Sequence, residues 1–381
     1  MIYFDHNATT PLSAEARQAW LDAVTNFVGN PSSPHRVGGR AEVALNDARE
    51  KLAGILGCYP LDLVWTSGAT ESNNAVFAHF LTTLAARARV WVSALEHPSV
   101  IEPARRSFAQ RVEWIPSDHH GGVDLEWMRK RIQKSRPSLV AVMAANNETG
   151  VLQPWRDIAQ LCRKFSVPFF CDATQWIGKL PGANFGQCDF VSGSAHKFGG
   201  PKGIGFLKVA GRGRFLPLLR GGPQEAGRRA GTENVPGVLA MMAALEAREA
   251  ALAAKKNANE KSRLTKARAD FERRLLERVP GAEIIGANSD RLWNTVSALM
   301  PDAGQGKQRW VVKLDKLGFA VSTGSACASG KEAPSHVLAA MGYSPAQASR
   351  VLRFSSGWDT TEKDWQALLE AIEKVNRDLR V

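Results

Sequence analysis

Between residues 61 and 209, short apolar runs alternate with amphipathic segments, and this constrains the fold more than any other feature of the 381-residue chain. "LDLVWTS", "RVWVSAL", "VEWIPS", "SLVAVMAAN", "VPFFCDA", "CDFVSGSA" and "GIGFLKV" have strand length and are bounded by turn residues. "ESNNAVFAHFLTTLAARA", "PSVIEPARRSFAQ", "LEWMRKRIQ" and "WRDIAQLCRKFS" read as helices between them. Alternation at this spacing predicts an α/β fold, a mostly parallel sheet covered by helices. In such sheets ligands collect at the carboxyl ends of the strands, so candidate functional residues are sought there.

After "GTENVPG" the pattern changes. Residues from about 236 to 278 are rich in Ala, Arg and Lys with helical periodicity, too long for an unbroken core helix, so a connecting helix kinked near Asn257–Asn259 is expected. Beyond it, "EIIGA", "NTVSALMP", "WVVKLDKLG" and "AVSTGSA" predict a smaller α+β domain. The expected organisation is an N-terminal segment (1–14) packing near the site, a large domain (15–255) and a small C-terminal domain (256–381).

Charge narrows the partners only a little. Lys plus Arg exceed Asp plus Glu by 49 − 37, a net +12, which attracts anions without choosing among them. Nine basic and four acidic residues fall between Lys255 and Arg278. On a helix they read as a solvated face, and direct nucleic-acid contact is not expected. Cys58, Cys162, Cys171, Cys188 and Cys327 form no CxxC pair and no zinc-like spacing, so no metal site is expected and free thiols in a reducing compartment are. "MIYFDHNATTP" is not a signal peptide, and no window holds about 18 uninterrupted apolar residues. A cytoplasmic protein without membrane attachment is the expectation.

Several strand ends carry polar groups. "VSGSAHKFGGPKGIGF" places His196 and Lys197 among small residues after an apolar run. Lys197 there can be a salt-bridge partner, a phosphate ligand or a covalent handle. "TSGATESNN" opens a helix with small residues, which suits an anion at the helix N-terminus and also suits an ordinary helix start. "VPFFCDATQ" ends an apolar strand on Asp172, costly unless paired, and "ALEHPS" sets His97 after another. One cofactor accounts for these together. Pyridoxal phosphate needs a lysine for a Schiff base, a carboxylate facing its ring nitrogen and a phosphate cradle. Lys197, Asp172 and the Ser/Gly/Thr loops supply that set.

"SGATESNN", "EHPSV", "NNETGV", "DATQWIGKLP", "SGSAHKFGGPKGIGF", "RRAGTENV", "STGSACASG" and "LRFSSG" resemble, in this order, the motifs of cysteine desulfurases. These belong to the class-V aminotransferase-like pyridoxal phosphate enzymes of fold type I. The resemblance runs from "DHNATTP" to "RFSSGWDTT", nearly the whole chain. It implies that Lys197 carries the cofactor, that His97 stacks on its ring and helps move protons, and that Asp172 pairs with the ring nitrogen. Gln175 would reach the phenolic oxygen. Ala69, Thr70, Ser194 and His196 would hold the phosphate, Ala195 beside them would belong to the cofactor site, and Thr232 would reach the phosphate of a neighbouring subunit, implying a homodimer with shared sites. Arg353 would bind the substrate carboxylate, with Asn147 beside it or on the cofactor and Asn7 near the substrate.

A lone cysteine is ordinarily a small buried hydrophobe. Cys327, flanked by Ser325, Ala326, Ala328, Ser329 and Gly330, lies instead in a small-residue loop, and the resemblance makes it the nucleophile that takes sulfur from L-cysteine as a persulfide and leaves L-alanine. A sulfur acceptor is then expected, an iron–sulfur scaffold or a sulfur carrier of thio-cofactor or tRNA synthesis. The alternatives are selenocysteine lyase, another enzyme of the class, or a basic scaffold with a retired site. Three positions depart from the family pattern: Ala195 and Pro223 stand where glycine is common, and Ala226 where arginine is.

Overall fold

The computed structural model describes residues 1–211, 215–254, 257–302, 307–323 and 335–380. In chain order the first elements are β1 (Ile2–Tyr3), α1 (Ala14–Asn26), α2 (Arg36–Leu56), β2 (Leu63–Thr66), α3 (Ala69–Thr83), β3 (Val90–Ser93), α4 (Pro98–Phe108), β4 (Val112–Ile115) and α5 (Leu125–Lys134). Then come β5 (Val140–Ala141), α6 (Trp155–Lys164), β6 (Phe169–Asp172), β7 (Phe190–Ser194), β8 (Gly205–Val209), α7 (Val235–Ala253) and α8 (Asn257–Arg278). The chain closes with β9 (Glu283–Ile284), β10 (Thr295–Leu299), α9 (Lys307–Lys316), β11 (Phe319–Ala320), α10 (His336–Ala340), α11 (Pro345–Ala348), β12 (Val351–Ser355) and α12 (Glu362–Arg380).

The seven runs read as strands all enter one sheet, ordered β2-β8-β7-β6-β5-β3-β4. The pairs β4-β3, β3-β5, β5-β6 and β6-β7 are parallel; β8 runs antiparallel to both β7 and β2. Central strands are buried along their whole length, as in "FFCD" of β6 and "FVSGS" of β7. That is why they read as continuous apolar runs rather than alternating ones. The covering helices bury one stripe each: in α6, Trp155, Ile158, Ala159 and Cys162 face the core at helical spacing.

α1 and α2 were not legible in the strand–helix alternation, which begins after them. Ser13 caps α1 by accepting from Ala16 N–H, and α2 ends on Gly57 at φ 72°, a conformation that favours glycine. Both pack on α7. Where one kinked connecting helix was expected, two helices occur, α7 ending at Ala253 and α8 starting at Asn257.

A second apolar cluster joins Phe271, Leu275, Val296, Trp310, Leu352, Phe354, Trp365 and Leu368. It lies around the antiparallel sheet β12-β10-β9 with α8 and α12. Phe4 is fully buried in it, and β1 pairs in parallel with β11. The N-terminal strand is therefore anchored in this cluster before the chain crosses to the large sheet.

Candidate active site

The crossing segment is strapped across the carboxyl end of β7. Thr10 N–H donates to the His196 carbonyl at 2.8 Å and Ser13 N–H to that of Gly199 at 2.8 Å. Lys197 follows β7 in a single 3-10 turn and reaches back, its Nζ donating to the carbonyls of Asn7 (2.7 Å) and Ala8 (2.8 Å).

Beside it opens a cavity of about 730 Å³. Asn7, Ala69, Thr70, His97, Asn147, Asp172, Gln175, Ser194, His196, Lys197 and Arg353 all line it. These residues come from the segments that follow β2, β3 and β5, from the ends of β6 and β7 and the turns after them, from the N-terminal segment and from β12. Among the residues named from the sequence, Ala195 is fully buried behind this wall and does not line it. Thr232 is exposed and outside the cavity of this chain. Cys327 lies outside the described residues.

Asp172 ends β6 and is buried. Its Oδ1 accepts from Thr174 N–H and its Oδ2 from Asn73 Nδ2, both at 2.9 Å. The other Asn73 amide proton goes to Ser99 Oγ at 2.9 Å, and Ser99 meets His97 Nδ1 through both its hydroxyl (2.8 Å) and its backbone N–H (3.1 Å). Accepting at Nδ1 leaves the His97 proton on Nε2. Burial lowers the His97 pKa, aided by Lys197 and His336 and opposed by Asp172. Behind it, burial and then Asp172 push the Glu96 carboxyl well above its ordinary range; its Oε1 accepts from Met143 N–H at 2.6 Å.

At one end of the cavity α3 begins on Gly68 with no side-chain cap, leaving its first-turn N–H groups for an anion. Gly68 has φ 147°, and a Cβ there would stand 3.3 Å from Ser194 Oγ. At the other end Arg353, almost fully buried, pairs with Asp5 Oδ1 at 2.7 Å and donates to the Asn147 carbonyl at 2.8 Å. Asn147 thus acts here through its main chain. His196 is pushed down to about 4, by burial first and then by Lys197, Lys202 and Lys179, so it is neutral at neutral pH.

These residues fit pyridoxal phosphate on the structure's own terms. The half-buried Lys197 amine, a carboxylate and an uncapped helix N-terminus share one cavity, and the Thr174 hydroxyl in its lining finds no hydrogen-bond partner among the described residues. The sequence reading missed Asn73, Glu96 and Lys179, and also Ser335 and His336. The last two anchor the chain where it is again described: Ser335 Oγ donates to Glu148 Oε2 at 2.6 Å and His336 Nε2 to the Glu96 carbonyl at 2.7 Å.

The sequence model of the family described as aminotransferase class-V matches residues 2–368. A cysteine desulfurase of Sinorhizobium fredii is 38% identical over 100% of this chain and 97% of its own length. The cysteine desulfurase IscS of Dictyoglomus turgidum is 35% identical over 100% and 95%. Among solved structures, a NifS-like protein superposes with a TM-score of 0.88 at 32% identity, covering 98% of both chains. One titled SspA in complex with cysteine gives 0.79 at 28% identity, covering 93% of this chain and 98% of its own.

Proposed function

The chain belongs to the class-V aminotransferase family, and we propose that within it the protein is a pyridoxal-phosphate-dependent cysteine desulfurase. It takes sulfur from L-cysteine, releases L-alanine and carries the sulfur on Cys327 to an acceptor. The observation that supports this reading is the single cavity lined by Lys197, Asp172, His97 and Arg353.

Lys197 would hold the cofactor covalently and Asp172 would pair with its ring nitrogen. His97 would lie against the ring, Gln175 would meet the phenolic oxygen, and Ala69, Thr70, Ser194 and His196 would receive the phosphate. Thr232, exposed on this chain, would complete the phosphate site of a second subunit, which makes the working form a homodimer. When bound, pyridoxal phosphate supplies an electron sink for the pair left at the substrate Cα.

The residues of the chain do the rest. Arg353 binds the substrate carboxylate, its guanidinium held in place by Asp5 and the Asn147 carbonyl. Lys197 Nζ takes the Cα proton; the carbonyls of Asn7 and Ala8 keep the amine at the cavity wall. His97, neutral and with its proton on Nε2, can give and recover a proton on the cavity side. The Cys327 thiolate bonds to the substrate sulfur as the Cβ–S bond breaks, and the carbon fragment is reprotonated and leaves as alanine. No described helix is long and apolar enough to cross a membrane, and we place the enzyme in the cytoplasm with a protein sulfur acceptor, an iron–sulfur scaffold or a sulfur carrier.

The test is mass analysis of the Cys327 peptide after the cofactor-loaded enzyme meets L-cysteine. A gain of one sulfur atom is expected, absent from Cys327→Ser. Sulfur transfer at the wild-type level by Cys327→Ser would overturn the assignment.

A further inference from the structure

Lys197 is not the only amine at this site. Lys179, in the turn segment 173–180 after β6, is almost fully buried. Its Nζ donates to Asn7 Oδ1 at 2.8 Å and to Gln175 Oε1. Its strongest electrostatic neighbours are both cations, Lys197 and Arg353.

Lys179 Nζ is the donor in both contacts, so the atoms it meets on Gln175 and Asn7 are their amide oxygens. That fixes two amides which could otherwise turn over at little cost. With Gln175 Oε1 held by Lys179, Nε2 faces the other way, where it donates one proton to the Asn7 carbonyl at 3.0 Å. Its second proton remains for the cavity that Gln175 lines. With Asn7 Oδ1 taken by Lys179 and by Asn294 Nδ2 (3.1 Å), Asn7 Nδ2 reaches Thr295 Oγ1 (2.9 Å) and the Asn147 carbonyl (3.2 Å). The Asn7 carbonyl is also one of the two that hold Lys197 Nζ. Lys179 thus orders the polar groups on one side of Lys197.

We infer that Lys179 is a positioning residue for the cofactor ring: it locks Gln175 with Nε2 toward the cavity, where that N–H is donated to the phenolic oxygen. This rests on the reading that the cavity takes pyridoxal phosphate on Lys197. Burial first, then Lys197 and Arg353, hold the Lys179 pKa well below the ordinary lysine value.

The experiment is a pH titration of the visible absorption of the cofactor-loaded enzyme, comparing wild type, Lys179→Met, Gln175→Ala and the double variant. Methionine fills the buried site without an unpaired charge, so folding should survive. A donor to the phenolic oxygen favours its anionic form and lowers the titration midpoint. Loss of that donor should raise the midpoint by about one pH unit, the size of one hydrogen bond. Lys179→Met and Gln175→Ala should shift alike, and the double variant no further than either, because one pathway carries both effects. A Lys179→Met variant that titrates as wild type, or a double variant whose shift is the sum of the singles, overturns the inference. A wild type that develops no visible band with pyridoxal phosphate removes the cofactor reading itself, before any variant is compared.

Discussion

Replacing Arg353 by lysine keeps the charge and removes the fork. The guanidinium pairs with Asp5 Oδ1 at 2.7 Å and with the Asn147 carbonyl at 2.8 Å while facing the cavity. A lysine has one nitrogen and cannot hold both anchors and still offer two parallel N–H groups to a substrate carboxylate. The lost contact is one charge-assisted hydrogen bond, about 1.5–3 kcal/mol. At about 1.4 kcal/mol per decade, that lowers kcat/KM for L-cysteine roughly tenfold to 150-fold. The carboxylate is remote from the breaking C–S bond and is held equally before and during reaction. The loss should therefore fall on KM, with kcat little changed. Steady-state alanine release over a range of L-cysteine reads both constants, and the cofactor absorption band, expected unchanged, reports on folding. A KM equal to wild type, or a fall in kcat alone, would refute the role given to Arg353.

Gly68→Ala forces a side chain into φ 147° beside Ser194 Oγ; with about 1–2 kcal/mol of strain, affinity for pyridoxal phosphate should weaken about tenfold, read by titrating cofactor into the apoenzyme. His6 and His196 are both pushed from 6.5 to about 4, chiefly by burial. The unfolded chain then binds more protons between these values, so stability is full above about 6.5 and falls as pH drops toward about 4. Urea midpoints across that window should show this slope, and His196→Asn should flatten it. Among the described thiols, burial pushes Cys58 up to about 11, Cys162 up to about 12 and Cys171 well above its ordinary value, while Cys188 is buried. Brief alkylation at neutral pH, followed by peptide mapping, should therefore mark Cys327 first; early labelling of Cys162 or Cys171 would contradict the packing.

The large sheet was legible because its central strands are buried on both faces and so appear as nearly unbroken apolar runs. α1 and α2 escaped for the opposite reason. They precede the first strand of the large sheet and carry exposed Leu21, Val24, Val37 and Val43, which blur the apolar stripe. At the site, strand-end position and residue type were enough to single out Asp172, His97 and Lys197. The groups that orient them were hidden in plain motifs. Asn73 stands in "SGATESNN", Glu96 in "EHPSV" and Lys179 in "DATQWIGKLP", and nothing in those motifs singles them out. What distinguishes them is inward direction: Asn73 joins Asp172 to Ser99 across 26 and 99 residues of chain, a relation no local pattern encodes. Lys179 reads as an ordinary helix-end or surface lysine until its burial is seen.

Two lysines, buried Lys179 and half-buried Lys197, reach Asn7 through its side chain and its main chain, and the account gives the cofactor to only one of them. Borohydride reduction of the enzyme loaded with pyridoxal phosphate, followed by peptide mapping, identifies which. The account predicts the pyridoxyl mass on Lys197 alone; the label on Lys179, or on neither lysine, would contradict it.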